Sequence, residues 1–212
     1  MSDARAAMLG QIREALGDER GEPAADWAAI PRSYARAGTL DAEARLRLFL
    51  DRLRDYDAHV VETDAAALPE AIGGVLGEHG QKRVVVAEGF PAERLPAGFA
   101  FVPESEADLD TLNRCDGIVT ACTVAIASTG TLVLTHGPGE GARRLTLVPD
   151  RHLCVVRAEQ VVETVPEAFD RLAAFAGRPL TFISGPSATA DIEMTRIRGV
   201  HGPRFLEVVL VR

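Results

Sequence analysis

Short runs of β-branched and aliphatic residues, alternating with stretches of helical periodicity, set the tightest limit on what this chain can fold into. "HVVET", "RVVVAEG", "FAFVPES" and "DGIVTAC" are runs of strand length. Between the first two lies the helical stretch "DAAALPEAIGGVLGEHG", and a helix is expected near 106–113 before the fourth. Strand followed by helix, repeated, is the signature of an open, mainly parallel sheet with helices on both faces. The second half continues with "TLVLT", "HLCVVRA", "LTFISG" and "FLEVVLV" as strands and a helix over 165–176. That helix carries its own start and stop. Thr164 and Glu167 have capping-box spacing, Pro166 sits in the first turn, and Gly177 ends it.

Upstream, Leu46, Phe49, Leu50 and Leu53 recur at helical spacing and place a helix over 41–57. Residues 3–16 form a further amphipathic helix stopped by Gly17, and "DERGEPAADWAAIPRSY" reads as a linker or wrapping loop. The expected division is an N-terminal helix and wrapping segment over 1–38 and an α/β domain over 39–212.

With 212 residues, 47% of them hydrophobic, the chain is long enough for one domain with a proper core. A net charge of −8 without a basic stripe argues against a nucleic-acid partner. The start has no apolar signal core, so a cytoplasmic location is expected. The longest uncharged stretch, Gly117 to Gly139, is broken by Gly130, His136, Gly137, Pro138 and several hydroxyl residues. It reads as two buried strands around a turn, not a membrane span. Cys115, Cys122 and Cys154 show no C-x-x-C spacing. They are read as small buried hydrophobes, with no disulfide framework, no iron–sulfur cluster and no metal site on this chain.

Three glycine- and hydroxyl-rich turns carry the chemistry. The first, "LVLTHGPGEGARR", has Gly137, Gly139 and Ala142 at the G-x-G-x-x-A spacing of a dinucleotide loop. Such a loop must open a crossover helix whose N-terminus holds the pyrophosphate. Here Pro149 and a new strand follow almost at once, so the dinucleotide reading fails. The loop can still present Gly137, Gly139 and the forked donors of Arg143 to an anion, while Arg144 reads as a solvated surface charge. The second turn, "AIASTGTLVL", offers Thr129, Gly130 and Thr131. The third, "ISGPSATADIEMTRIRGVHGP", offers Gly185, Ser187 and Thr189, with Asp191 and Glu193 as acid–base candidates. Asp191 and Glu193 could equally just stabilise the start of a helix. His201 and His136 sit in turns and are of a residue type suited to proton transfer, whereas His152 opens an apolar strand and reads as structural. All three turns are expected to meet beyond the carboxyl ends of the sheet strands, where open α/β proteins bind ligands.

These segments together resemble the LUD-domain family, of the lactate utilisation protein C type. The blocks that carry the resemblance are "IPRSYAR", "AIASTGTLVL", "RRLTLVPDRHLCVV", "GPSATADIEM" and "GVHGPRFLEVVLV". The resemblance implies a fold similar to that of sugar-phosphate isomerases and CoA transferases. It also implies work alongside two iron–sulfur lactate utilisation proteins in oxidising L-lactate to pyruvate, with the clusters on those partners and a small organic acid or anionic metabolite as ligand. Relatives often carry Asp or Glu where this chain has Ser128, which removes a carboxylate from that turn. Two other readings stay open. One is a stand-alone enzyme or binding protein for a phosphorylated, carboxylated or CoA-linked metabolite. The other is an assembly scaffold with no ligand site.

Overall fold

A computed structural model describes residues 2–17, 22–189, 197–199 and 202–212. The chain divides into two compact units, Met1–Ala35 and Arg36–Arg212. The first unit holds α1 (Ser2–Leu16) and α2 (Pro23–Ala29). Gly17, at φ 65°, terminates α1 in the left-handed region that a residue with a β-carbon avoids. The second helix corrects the expected loop. "PAADWAA" is alanine-rich, and its proline stands in the first turn, where a missing N–H costs nothing.

The second unit opens with α3 (Ala42–Asp55), capped by Asp41, whose carboxylate accepts from the Ala44 N–H at 2.7 Å. Then come β1 (His59–Thr63), α4 (Leu68–Glu78), β2 (Arg83–Val86), β3 (Ala100–Pro103), α5 (Leu109–Arg114) and β4 (Gly117–Ala121). The chain continues through β5 (Val124–Ile126), β6 (Thr131–Leu134), β7 (Arg151–Arg157), β8 (Val161–Val162) and α6 (Val165–Leu172). It ends with β9 (Thr181–Ile183), the short pair β10 (Ala188–Thr189) and β11 (Ile197–Arg198), and β12 (Phe205–Val211).

Six strands form the main sheet in the order β1-β12-β7-β4-β2-β3, every neighbouring pair parallel. The central strands are buried on both faces, which is why they read as unbroken apolar runs. Leu68, Ile72, Val75 and Leu76 of α4 pack on one face, against Val84, Val119, Leu153, Val155 and Val209. On the other face, α3 meets Cys154, Val156, Val208 and Leu210, and α5 places Leu112 against Val85 and Ile118. The α/β architecture read from the alternation is therefore the one observed.

One layer was not expected. Four strands, in the order β8-β5-β6-β9, form a second sheet in which β6 is antiparallel to both neighbours. It shares the core on the α3 side through Ala125, Leu132 and Leu134, and α6 covers its outer face through Ala168 and Leu172. The uncharged stretch 117–139 thus contains three strands, not two, because the chain leaves the main sheet after Ala121 and starts the second one at Val124. The capping box of α6 is formed as read, with the Glu167 carboxylate accepting from the Thr164 N–H at 2.7 Å.

Cys122 and Cys154 are buried and unpaired in any disulfide, and Cys115 is half-buried. A hydrogen bond with Cys154, followed by burial, holds the Cys122 thiol well above its usual range. Among the described residues no helix is long and apolar enough to cross a membrane.

Candidate functional site

The glycine loop after β6 is locked from within. Glu140 is buried, and its carboxylate accepts from the Thr123 hydroxyl at 2.5 Å and the Thr135 N–H at 2.6 Å. It also accepts from the Thr135 hydroxyl at 3.1 Å and the Gly137 N–H at 3.4 Å. Gly139 joins the loop to the carboxyl ends of β2 and β4, donating to Glu88 O and accepting from the Ala121 N–H, both at 2.6 Å. A second buried carboxylate, Glu104, accepts from the Ala142 N–H at 2.9 Å. The amides a phosphate would need are therefore taken by the protein itself. Only a short 3₁₀ turn, Arg143–Thr146, follows before β7, so the dinucleotide reading fails on geometry as well.

His136 closes this clamp. At φ 56° it occupies the left-handed region, with Nδ1 2.7 Å from Gly141 O and Nε2 2.8 Å from Thr181 Oγ1. A carbonyl only accepts, so Nδ1 carries the hydrogen, and in the neutral ring Nε2 accepts from the Thr181 hydroxyl. Both nitrogens are thus committed to holding the loop against β9.

The "STGT" turn lies at the opposite end of β6. Gly130, at φ 60°, lets the turn press on α3, where an added Cβ would stand 2.9 Å from the Arg52 backbone. Its hydroxyls face one another: Thr129 Oγ1 is 2.7 Å from Thr131 Oγ1, which is 2.7 Å from Ser184 Oγ. The chain of hydroxyls links this turn to the one after β9.

That third turn forms one wall of a polar pocket of about 210 Å³, between β9 and the amino ends of β7 and β12. Arg143, Thr146, Thr181, Ser184, Gly185 and Ser187 line it, and His152 is part of its lining from within the core. Arg143 Nη1 donates to Thr146 O at 3.2 Å and also to the Thr146 hydroxyl, which fixes the guanidinium at the pocket. Below it, His152 is 1% exposed and hydrogen-bonded to Thr120 Oγ1 at 2.7 Å. Burial alone lowers its pKa to about 4, so the ring is neutral at pH 7. The Arg204 guanidinium holds the 202–206 wall to the start of β7 through two 2.5 Å bonds to Asp150. One fixed cation, several hydroxyl donors and a neutral imidazole make a site for a small anion.

Gly185 shapes that wall. It sits at φ 85°, and a Cβ there would stand 2.6 Å from Tyr56 Cβ. Gly185→Ala is expected to destabilise by at least about 2 kcal/mol, from left-handed strain plus the clash. Gly177→Ala, with φ 89° and open space around it, isolates the strain and should cost about 1 kcal/mol. Urea unfolding midpoints check both, and equal losses in the two variants would remove the clash from the account.

The three turns therefore do not converge as expected. Arg143, Gly185 and Ser187 share the polar pocket, at the amino rather than the carboxyl edge of the main sheet. Thr129, Gly130 and Thr131 reach it only through the Ser184 hydrogen bond. Gly137 lines a separate, shallow cleft with Glu88, Glu104, His136 and Arg178, and Gly139 is bonded into the sheet edge beside it. Thr189 is described by its backbone alone, paired with Ile197, while Asp191, Glu193 and His201 lie outside the described residues. Sequence reasoning missed Glu140, Glu104 and the His152–Thr120 pair. A lone acid between glycines and a histidine in an apolar run gave no spacing signal.

An open parallel α/β domain with an added mixed sheet and a polar pocket is the class of protein that fold and site define. The family model of the LUD domain matches residues 46–211, and the chain belongs to that family. It is 43% identical to a Lactate utilization protein C of Deinococcus radiodurans, over 99% of this chain and 96% of the relative. A Bacillus subtilis protein of the same description is 25% identical over 97% of this chain and 95% of its own. Among solved structures, the crystal structure of a DUF162 family protein from Deinococcus radiodurans is 41% identical, with a TM-score of 0.72. That match covers 82% of this chain and all of the other.

Proposed function

We propose that this chain serves L-lactate utilisation as the component without iron–sulfur clusters, acting with iron–sulfur partner proteins that oxidise lactate to pyruvate. The observation that carries the reading is near-full-length similarity to a protein described as Lactate utilization protein C. The pocket supports it in scale. At about 210 Å³ it is smaller than the roughly 300–1,000 Å³ of sites for drug-sized ligands, so a small organic acid suits it better than a nucleotide or CoA ester. Arg143 would hold the carboxylate and the Ser184 and Ser187 hydroxyls the rest of the ligand. Asp191 and Glu193 are proposed for proton handling. The absence of C-x-x-C spacing among the three cysteines supports placing the clusters on partners.

Deleting the gene is expected to abolish growth on L-lactate and leave growth on pyruvate intact, in a strain with no other lactate dehydrogenase. The wild-type gene should restore growth. Arg143→Ala should give folded protein that restores it poorly, because the substitution removes the pocket's fixed cation but no core contact. Normal growth of the deletion strain on lactate would overturn the proposal. Tight binding of sugar phosphates or CoA esters, with no effect of lactate or pyruvate, would move the function to a stand-alone metabolite-binding protein.

A further inference from the structure

A second cluster of ligating side chains lies on the α4 face, at the amino edge of the main sheet. His59 opens β1 and is in register with Glu207 of β12, while Glu78 and His79 end α4 above them. His59 Nε2 is 3.8 Å from Glu78 Oε2, and His79 Nε2 is 3.7 Å from Glu207 Oε1. One ligand atom from each of His59, Glu78 and His79 falls within 4.8 Å of the other two.

Behind them lies a buried carboxyl group whose Oε1 is shared by Arg151 and His79. Glu207 is 1% exposed; Oε1 pairs with Arg151 at 2.7 Å, but Oε2 is buried with no hydrogen-bond partner among the described residues. A buried carboxylate oxygen left without a donor is costly unless a cation shares the site. The C-terminal end of α4, the negative end of its helix dipole, lies on the same side.

We propose that His59, Glu78 and His79 bind a zinc-class divalent cation, with the Glu207 carboxylate beside His79 completing the charge. Two imidazoles and a carboxylate are the donor set such an ion favours. Tetrahedral bonds of about 2.0–2.2 Å place ligand atoms roughly 3.3–3.5 Å apart. The ligand atoms of His59, Glu78 and His79 lie within 4.8 Å of one another, with His59 and Glu78 at 3.8 Å, so closing on an ion needs rotations of these three side chains, which are 31–63% exposed. The ion would staple the edge strand β1 to the end of α4, where His59 already meets Glu78. Cysteine spacing carries no signal for such a cluster, whose histidines are 20 residues apart in sequence.

The test uses untagged full-length protein stripped with chelator and titrated with zinc chloride, by calorimetry and thermal unfolding. One equivalent should bind and raise the melting temperature by several degrees. His79→Ala and His59→Gln should each weaken binding by more than about ten-fold and remove the thermal shift. His59→Gln, at an exposed position on the edge strand, keeps the test open if His79→Ala fails to fold. Cobalt substitution reports the donors: a spectrum of nitrogen and oxygen ligation supports the site, and thiolate charge-transfer bands place the ion on cysteine. No saturable binding, or unchanged binding in His59→Gln, would overturn the proposal.

Discussion

Glu140→Ala is expected to lower the unfolding free energy by about 4 kcal/mol, the largest loss from any single residue of the glycine loop. The carboxylate takes hydrogen bonds from two hydroxyls and two backbone amides while only 4% exposed. Truncation leaves the buried Thr135 N–H without its acceptor and the Thr123 and Thr135 hydroxyls with only each other at 2.9 Å. Each orphaned group costs about 1–3 kcal/mol, partly offset if water enters the cavity. Glu140→Gln keeps the shape but turns one acceptor oxygen into an NH₂ facing donors, so a loss of about 2 kcal/mol is expected. Urea denaturation gives both values. A loss under about 1 kcal/mol in the alanine variant would mean that the loop holds its course without the carboxylate. The loop amides would then be available to a ligand after all.

That prediction also marks where the sequence stopped being readable. The parallel sheet was legible because doubly buried strands leave near-continuous apolar runs spaced by helical stretches, as in "RVVV", "GIVTA" and "FLEVVLV". Thr164 and Glu167 announced the start of α6 because a capping box is local chemistry. The same full burial hid the second sheet. In "ACTVAIASTGTLVL" both faces of each strand are covered, so no period of two survives to tell direction or sheet membership. Long-range juxtaposition was the harder limit. Arg143 and Ser187 meet across the pocket although β7, β8, α6 and β9 separate them in sequence. Glu140 and Glu104 look like solvated acids in sequence, and only the buried amides around them reveal their role. Gly137 and Gly139 advertised a ligand loop, yet they serve the internal clamp and the sheet edge.

His152 supplies the other large effect, read in pH. Its folded pKa is about 4 against 6.5 when unfolded, because burial penalises the charged ring. Between those values the unfolded chain binds a proton that the native state does not, so stability falls as pH drops from 6.5 to about 4. The gap corresponds to about 3 kcal/mol, fully retained above pH 6.5. His79, lowered by burial and by Arg151, adds to the fall; Glu207, raised by burial, opposes it. Comparison with His152→Gln cancels both. The glutamine keeps a polar group near Thr120 without titrating, at a cost of about 1–2 kcal/mol at pH 7. The order of stability should then invert, with His152→Gln the more stable protein near pH 4. Parallel urea-midpoint curves for the two proteins across pH 4–7 would sink the assignment. The same ring couples acid to the pocket. An anion seated beside Arg143 would favour the imidazolium and so raise the pKa of His152. Binding of a carboxylate should therefore take up protons and tighten as pH falls below 6, until the acid itself is protonated or the fold is lost. Proton uptake measured by calorimetry in buffers of different ionisation enthalpy would show it, and its absence in His152→Gln would tie it to this residue.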